Sequence, residues 1–353
     1  MNSQVNLTDL EYSKLESFVT ETLGQPKFRA KQIFGWIHGG PAKDGGIRMG
    51  AESFEDMSNL PKSLRAKLAE CATLVQPAVL REQVSELDGT RKFLFGLEDG
   101  NAIESVFMKY KFGNSMCVSS QEGCRMGSLF GTSTIGGLKR NLTPGEIVGQ
   151  ILAAQKQTGE RISHVVVMGT GEPFDNYENL AAFIRIINDR NGLDIGMRNI
   201  TVSTCGLVPK IARFAEDFPQ VNLAISLHAA SDEMRSEIMP VNKTYPMETL
   251  LEACKEYTEK TSRRITFEYT LVKGVNDSTE HAKMLASRLR GMLCHVNLIP
   301  LNKVEETGYD TTERGAVIRF QKVLNENGIP ATIRRELGDD IDAACGQLRL
   351  SES

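Results

Sequence analysis

Residues 115–120 read SMCVSS, and five more stretches repeat the same beat: HVVVMG at 164–169, NITVST at 199–204, VNLAISLH at 221–228, RITFEYTLV at 264–272 and CHVNLIPLN at 294–302. Each is a short apolar run of the kind that forms a buried strand. Between them lie segments of helical period, among them EIVGQILAAQKQ and METLLEACKEYTEK, the latter with Leu250, Leu251, Cys254 and Tyr257 on one face. Six strand–helix beats predict an α/β fold, a parallel sheet closing partly or wholly into a (β/α) barrel.

Upstream of this beat the pattern changes twice. Residues 1–72 read as a small helical domain. Thr8 and Glu11 have capping-box spacing ahead of Leu15, Phe18, Val19 and Leu23, and a second helix is expected from Pro26 to about His38, stopped by Gly39 and Gly40. Ser53 and Pro61 open two shorter helical segments. Residues 73–109 alternate instead, and RKFLFGLEDGNAIESVFMKY reads as a connecting hairpin turning at Glu98-Asp99-Gly100. The barrel occupies 110–353.

Composition removes several function classes. The 353 residues are 41% apolar and 24% charged, ordinary for a globular protein and unlike a disordered chain or coiled coil. No run approaches the roughly 18–20 apolar residues of a membrane span, and the N-terminus lacks a secretion pattern, so a cytoplasmic protein with no membrane partner is expected. A monomer is expected as well. Seven cysteines, an odd number without a secretion signal, argue for thiols rather than a disulfide framework. A net charge of −4 does not advertise a polyanion partner, so any nucleic-acid contact must come from local patches.

A barrel places its chemistry at the C-terminal ends of its strands. Polar residues gather there: Cys117, Ser119 and Ser120 after the first strand, Gly169–Glu172 after the second, Ser203 at the third, Ser226 and His228 at the fourth, Asn302 past the sixth. Any one of them is better explained as a helix cap or a satisfied loop residue. As a set they mark a candidate site.

The stretches FRAKQIFGWIH, CVSSQEGC, LKRNLTPGEIV, GTGEP, VSTCGLVP, VNLAISLHA, RRITFEY, GVNDS, HVNLIPLN and IDAACGQLR carry a resemblance over residues 7–350. They are similar to the RlmN/Cfr family of radical S-adenosylmethionine RNA methyltransferases. The resemblance implies a radical-SAM-type partial barrel behind an RNA-binding helical domain, acting on carbon 2 or carbon 8 of an adenine in large-subunit ribosomal RNA and, in some members, on transfer RNA. It implies a [4Fe-4S] cluster and S-adenosylmethionine as cofactors. It assigns Cys345 as the methyl-carrying cysteine, Cys117 as the cysteine that resolves the protein–RNA crosslink by forming a disulfide with Cys345, and Glu104 as the proton acceptor. It also assigns Gly171, Glu172, Ser203, Ser226, Leu227, His228 and Asn302 to the cofactor.

The sequence departs from the family at one loop. Where the family holds its cluster with C-x3-C-x2-C, this chain reads CRMGSLFG: Cys124 is present, and the other two ligand positions are Ser128 and Gly131. Clusters are held by soft thiolates, glycine offers no ligand, and a hydroxyl is a poor one. The expectation is a family member that binds no cluster and is catalytically impaired. The alternative is an active adenine methyltransferase with a rebuilt site or an altered loop.

Basic residues fall in local groups: Lys27, Arg29 and Lys31; Lys109 and Lys111; Lys139 and Arg140; Arg263 and Arg264; Arg334 and Arg335. They read either as solvated faces or as the phosphate contacts of an RNA-binding surface.

Overall fold

A computed structural model of the chain describes residues 4–44, 46–128, 136–301, 310–335 and 337–343. Gly131, Asn302 and Cys345, singled out above, lie outside the described residues.

The N-terminal residues pack as a small helical unit. Helices α1 (Tyr12–Ser17), α2 (Phe28–His38) and α3 (Lys62–Cys71) bury Leu15, Ala30, Ile33, Phe34, Ile37, Leu64 and Leu68, each at most 3% exposed. The first helix begins later than the capping-box spacing suggests. Thr8 belongs to a separate 3-10 turn, where its hydroxyl donates to Asn6 Oδ1 (2.6 Å) or Val75 O (3.0 Å), and extended Leu10 separates that turn from α1. The second helix starts at Phe28 rather than Pro26, and Gly39 ends it at φ +63°.

Ten strands among the described residues form one sheet: β1 (Ala78–Val84), β2 (Arg91–Gly96), β3 (Ala102–Tyr110), β4 (Gly113–Val118), β5 (Ile162–Val167), β6 (Ile200–Thr204), β7 (Asn222–Ser226), β8 (Ile265–Leu271), β9 (Cys294–Pro300) and β10 (Ala331–Ile333). Each hydrogen-bonds to its neighbour in sequence. The hairpin read at 91–110 is β2–β3, and β1 extends it to three antiparallel strands continuous with the barrel sheet.

From β4 to β10 all pairings are parallel, and each crossover carries a helix. These are α4 (Pro144–Thr158), α5 (Tyr177–Asn188), α6 (Val208–Asp217), α7 (Asp232–Ile238) with α8 (Met247–Thr261), α9 (Thr279–Leu289) and α10 (Arg314–Glu326). The two edge strands, β1 and β10, do not pair, so the sheet is a partial barrel.

The period of two along each strand separates two faces. Phe107, Met116, Val165, Val167, Val202, Leu223, Ile225, Phe267 and Leu298 share the helix-covered face and are at most 1% exposed. On the other face the register sets Lys92 beside Val106, Val106 beside Cys117, Cys117 beside Val166, and Ser226 beside Glu268 and Asn297. A sheet whose inner face carries this many polar groups must satisfy them or offer them to a ligand.

Two attachments complete the molecule. Asp9 Oδ1 accepts from Gly145 N (2.7 Å) at the start of α4, docking the helical unit onto the barrel. At the other end, residues 337–343 cross to the β1–β2 turn: Gly338 N donates to Asp88 Oδ2 (3.0 Å), Glu86 N to Asp340 Oδ2 (2.9 Å) and Lys92 Nζ to Asp342 O (3.3 Å).

Candidate active site at the barrel mouth

The mouth is built from the loops after β4, β5, β6 and β7. Ser119 locks the first two together. Its hydroxyl donates to Glu104 O (2.7 Å) and accepts from Thr170 N (2.9 Å), while its peptide is clamped by Gln150 of α4 through bonds of 2.8 and 2.9 Å. Gly171 follows at φ +104°, and a Cβ there would meet Gln121 Cβ at 2.5 Å. Only glycine allows the turn both that conformation and that approach.

Glu172 is 4% exposed and turned into the protein. Its Oε1 accepts from Thr204 Oγ1 (2.7 Å) and Phe174 N (3.0 Å), and its Oε2 from Cys205 N (2.8 Å). Burial raises its pKa from the ordinary glutamate value, against the pull of these donors. The carboxylate that the resemblance assigns to the cofactor thus ties the second loop to the third.

Ser203 and Ser226 bring their hydroxyls to 3.4 Å on neighbouring strands. Leu227 is fully buried beyond them. His228 takes a left-handed backbone (φ +57°), uncommon for a side-chain-bearing residue. Three bonds hold it there: its N–H donates to Glu268 O (3.2 Å), its Nδ1 accepts from Thr270 N (3.0 Å) and its carbonyl accepts from Asn276 Nδ2 (2.8 Å). Burial lowers its pKa to about 3, so the ring is neutral. Strain held this firmly is characteristic of functional loops.

Cys117 lies on the inner face in a small apolar cluster with Val106, Met108 and Ala343, against Tyr110, Val166, Met168, Leu337 and Ile341. Leu337, Ile341 and Ala343 belong to the C-terminal segment, so residues far apart in sequence meet at Cys117. Glu104 lies further along the same face of β3, with Lys92 Nζ 3.6 Å from its carboxylate. The structure therefore collects Glu104, Cys117, Ser203 and Ser226 on one face, with Gly171, Glu172, Leu227 and His228 at its rim.

Cys124 is 7% exposed just beyond Gln121–Gly123, a short strand paired with Leu138–Asn141. Burial pushes its thiol up to about 11. Among the described residues no three His, Cys, Asp or Glu side chains converge as metal ligands. The donor set at the family's cluster positions is one thiol, one hydroxyl and a glycine without a side chain. This set does not fit an iron–sulfur cluster.

Sequence reasoning missed several groups that build the site. Arg235 is fully buried, its guanidinium donating to Cys205 O (2.6 Å), Ser226 O (3.2 Å), Leu227 O (3.3 Å) and Asn242 Oδ1 (2.9 Å). It clips three loop carbonyls at once, and burial lowers its pKa to about 10. Glu268, 6% exposed, accepts from Asn297 Nδ2 (2.8 Å) on the inner face. Gln150 had a readable signal, a polar residue inside an apolar helical run; Arg235, in the polar stretch SDEMRSE, had none.

Most of the basic groups are engaged within the protein. Lys27 pairs with Glu16 (2.8 Å), Lys109 with Glu160, Lys139 with Glu122 (2.9 Å), and Arg140 bidentately with Glu146 (2.8 Å each); Arg263 donates to Asn222. Lys31, Lys111, Arg264 and Arg335 are exposed.

Comparison with known proteins decides the family. The profile of the ribosomal RNA large subunit methyltransferase N-terminal domain matches residues 5–74, and that of the radical SAM superfamily matches residues 118–285. A probable dual-specificity RNA methyltransferase RlmN of Desulforamulus reducens is 51% identical over 99% of this chain and 97% of its own length. The chain belongs to the RlmN/Cfr family of radical S-adenosylmethionine RNA methyltransferases. A Clostridium botulinum relative with the same description is 52% identical over 98% of this chain and 96% of its own. The crystal structure of a radical SAM methyltransferase from Sphaerobacter thermophilus superposes with a TM-score of 0.90 at 44% identity, covering 98% of this chain and 99% of that one. Among the described residues, no helix is long and apolar enough to cross a membrane.

Proposed function

We propose that this protein binds structured RNA, ribosomal or transfer, and S-adenosylmethionine on the scaffold of an adenine methyltransferase, without the cluster that the family's radical chemistry requires. The observation that carries this reading is the donor set Cys124, Ser128 and Gly131 in a chain that keeps Gly171, Glu172, Ser203, Ser226 and His228 at the barrel mouth. One thiolate does not retain four irons. Gly171, Glu172, Ser203, Ser226, Leu227, His228 and Asn302 are the cofactor contacts in this reading. The methionine end would lie along the turn at Gly171, with Glu172 acting as a brace between loops rather than as a counter-ion, since its two oxygens already accept three protein donors.

A second reading, an active methyltransferase of adenine carbon 2 or 8, is favoured by one feature: Glu104 and Cys117 share a face, and Leu337, Ile341 and Ala343 pack over Cys117. Iron separates the two. Protein reconstituted anaerobically with excess iron and sulfide is expected to remain colourless, and the S128C/G131C double variant to gain iron. A stoichiometric brown cluster on the unaltered chain would establish the second reading.

A further inference from the structure

The turn between β3 and β4 reads Lys109-Tyr110-Lys111-Phe112-Gly113. Phe112 is 65% exposed, an unusual place for a phenylalanine. It is also held in place. Tyr110 stacks on it with ring centroids 4.8 Å apart and planes within 9°, and the His164 ring meets it edge-on at 4.9 Å and 69°. Tyr110 is itself half-buried, packed against the cluster that contains Cys117, and His164 is fixed by a 2.9 Å hydrogen bond to Ser163 Oγ. Burial lowers the His164 pKa, so this ring is uncharged near neutral pH. One face of Phe112 is thus covered by Tyr110, its orientation is set by two neighbours, and the remainder points to solvent.

A ring ordered in this way loses little further freedom when a planar ligand stacks on it. The surroundings say which ligand. Lys111 is exposed beside it, with no carboxylate in ion-pairing reach among the described residues, and Lys109 precedes it, shared with Glu160. Arg334 and Arg335 are close enough to influence Tyr110 electrostatically. Aromatic faces interleaved with cations suit an unpaired nucleotide, whose base stacks while its phosphates meet the charges.

We infer that Phe112, backed by Tyr110 and His164, is a stacking platform for an unpaired base of the RNA, with Lys111 contacting the adjoining phosphate. This inference rests on the RNA-binding reading above and adds a site to it. The platform lies at the start of β4, whereas the mouth lies at its end. Six residues at about 3.3 Å each separate the two by roughly 20 Å. The base held here therefore lies several nucleotides from any base that enters the mouth, and the two are separate contacts.

The test uses the full chain and a fluorescein-labelled RNA hairpin with an unpaired loop, followed by anisotropy at several salt concentrations, with a blunt duplex as comparison. Phe112→Ala is expected to weaken hairpin binding roughly tenfold while leaving the salt slope unchanged, because stacking releases no counter-ions. Phe112→Trp is expected to restore affinity, and its added indole to be quenched by the RNA. Lys111→Ala is expected to lower the slope by about one. Because Phe112 is exposed, these substitutions leave the core intact, and unchanged thermal unfolding verifies this. Wild-type protein that binds the hairpin, with Phe112→Ala within twofold of it, would overturn the platform alone. Wild-type protein that binds neither RNA would overturn the RNA-binding reading along with it.

Discussion

At the scale of single residues, buried polar groups govern both the site and its pH response. His38 is fully buried against Phe34, with ring centroids 4.4 Å apart, and neither ring nitrogen has a hydrogen-bond partner. Its pKa falls to about 3, as does that of His228. Because the folded-state pKa lies below the ordinary 6.5, the neutral ring contributes stability that is complete above pH 6.5 and is lost as pH falls toward 3. Each pH unit in that window costs about 1.4 kcal/mol per histidine. Urea unfolding at pH 7, 6 and 5 is expected to show this loss, and His38→Phe to make the slope shallower by about one proton. Equal slopes would mean that His38 is solvated. This residue-level chemistry was only partly legible in the sequence. Ser203, Ser226 and His228 stand out by their positions after apolar runs. Arg235, which holds Cys205, Ser226 and Leu227 in place through their carbonyls, is invisible as a buried residue because nothing in its local pattern separates it from a surface cation.

Among the elements, α4 connects everything. Thr143 and Glu146 form a reciprocal cap, with Thr143 Oγ1 accepting from Glu146 N (3.2 Å) and Glu146 Oε2 accepting from Thr143 N (2.9 Å), ahead of Pro144 in the first turn. Gln150 reaches the first mouth loop, Gly145 receives the helical unit, and Gly149 lies so close to the residue before β1 that a Cβ there would be 2.2 Å from Pro77 Cδ. Thr143→Ala is expected to cost about 1 kcal/mol, the usual worth of such a cap, measured as a shift in the urea midpoint at constant m-value. The strands and crossover helices were readable because period two and period 3.6 are strong signals over six beats. The third antiparallel strand was not: Ala78–Val84 is largely exposed, so its register comes from pairing with β2 rather than from an apolar stripe. The late start of α1 was hidden for a related reason. Thr8 has a choice of partners, and the chain gives its hydroxyl to Asn6 and Val75.

For the whole molecule, the fold and the site have diverged in what they preserve. The barrel and the helical unit follow the family, while residues 124–131 depart from the C-x3-C-x2-C pattern that the resemblance implies. The methyl-carrying role that the resemblance implies for Cys345 depends on the same chemistry as methylation of the RNA. Mass spectrometry of the protein as isolated is therefore expected to find Cys345 unmodified, and digests of the RNA bound to it to lack methyladenine formed by this chain. A methylated Cys345 would show that the site turns over. The divergence itself was legible from residues 124–131, because ligand chemistry is a property of residue type and needs no geometry. What the sequence hid was the enclosure of Cys117, which depends on contacts between segments about 250 residues apart.

That enclosure has a consequence during synthesis. Glu86 bonds to Asp340, a residue 254 positions downstream, and Leu337, Ile341 and Ala343 pack over Cys117. At the roughly 5–20 residues per second of translation, the strands bearing Glu104 and Cys117 are made tens of seconds before their cover exists. Throughout that interval Val106, Met108 and the Cys117 thiol lie open on a growing polypeptide. A nascent chain halted before residue 337 thus carries an oxidisable sulfur on a bare apolar face, the kind of surface that chaperones and proteases use to tell an unfinished product from a finished one.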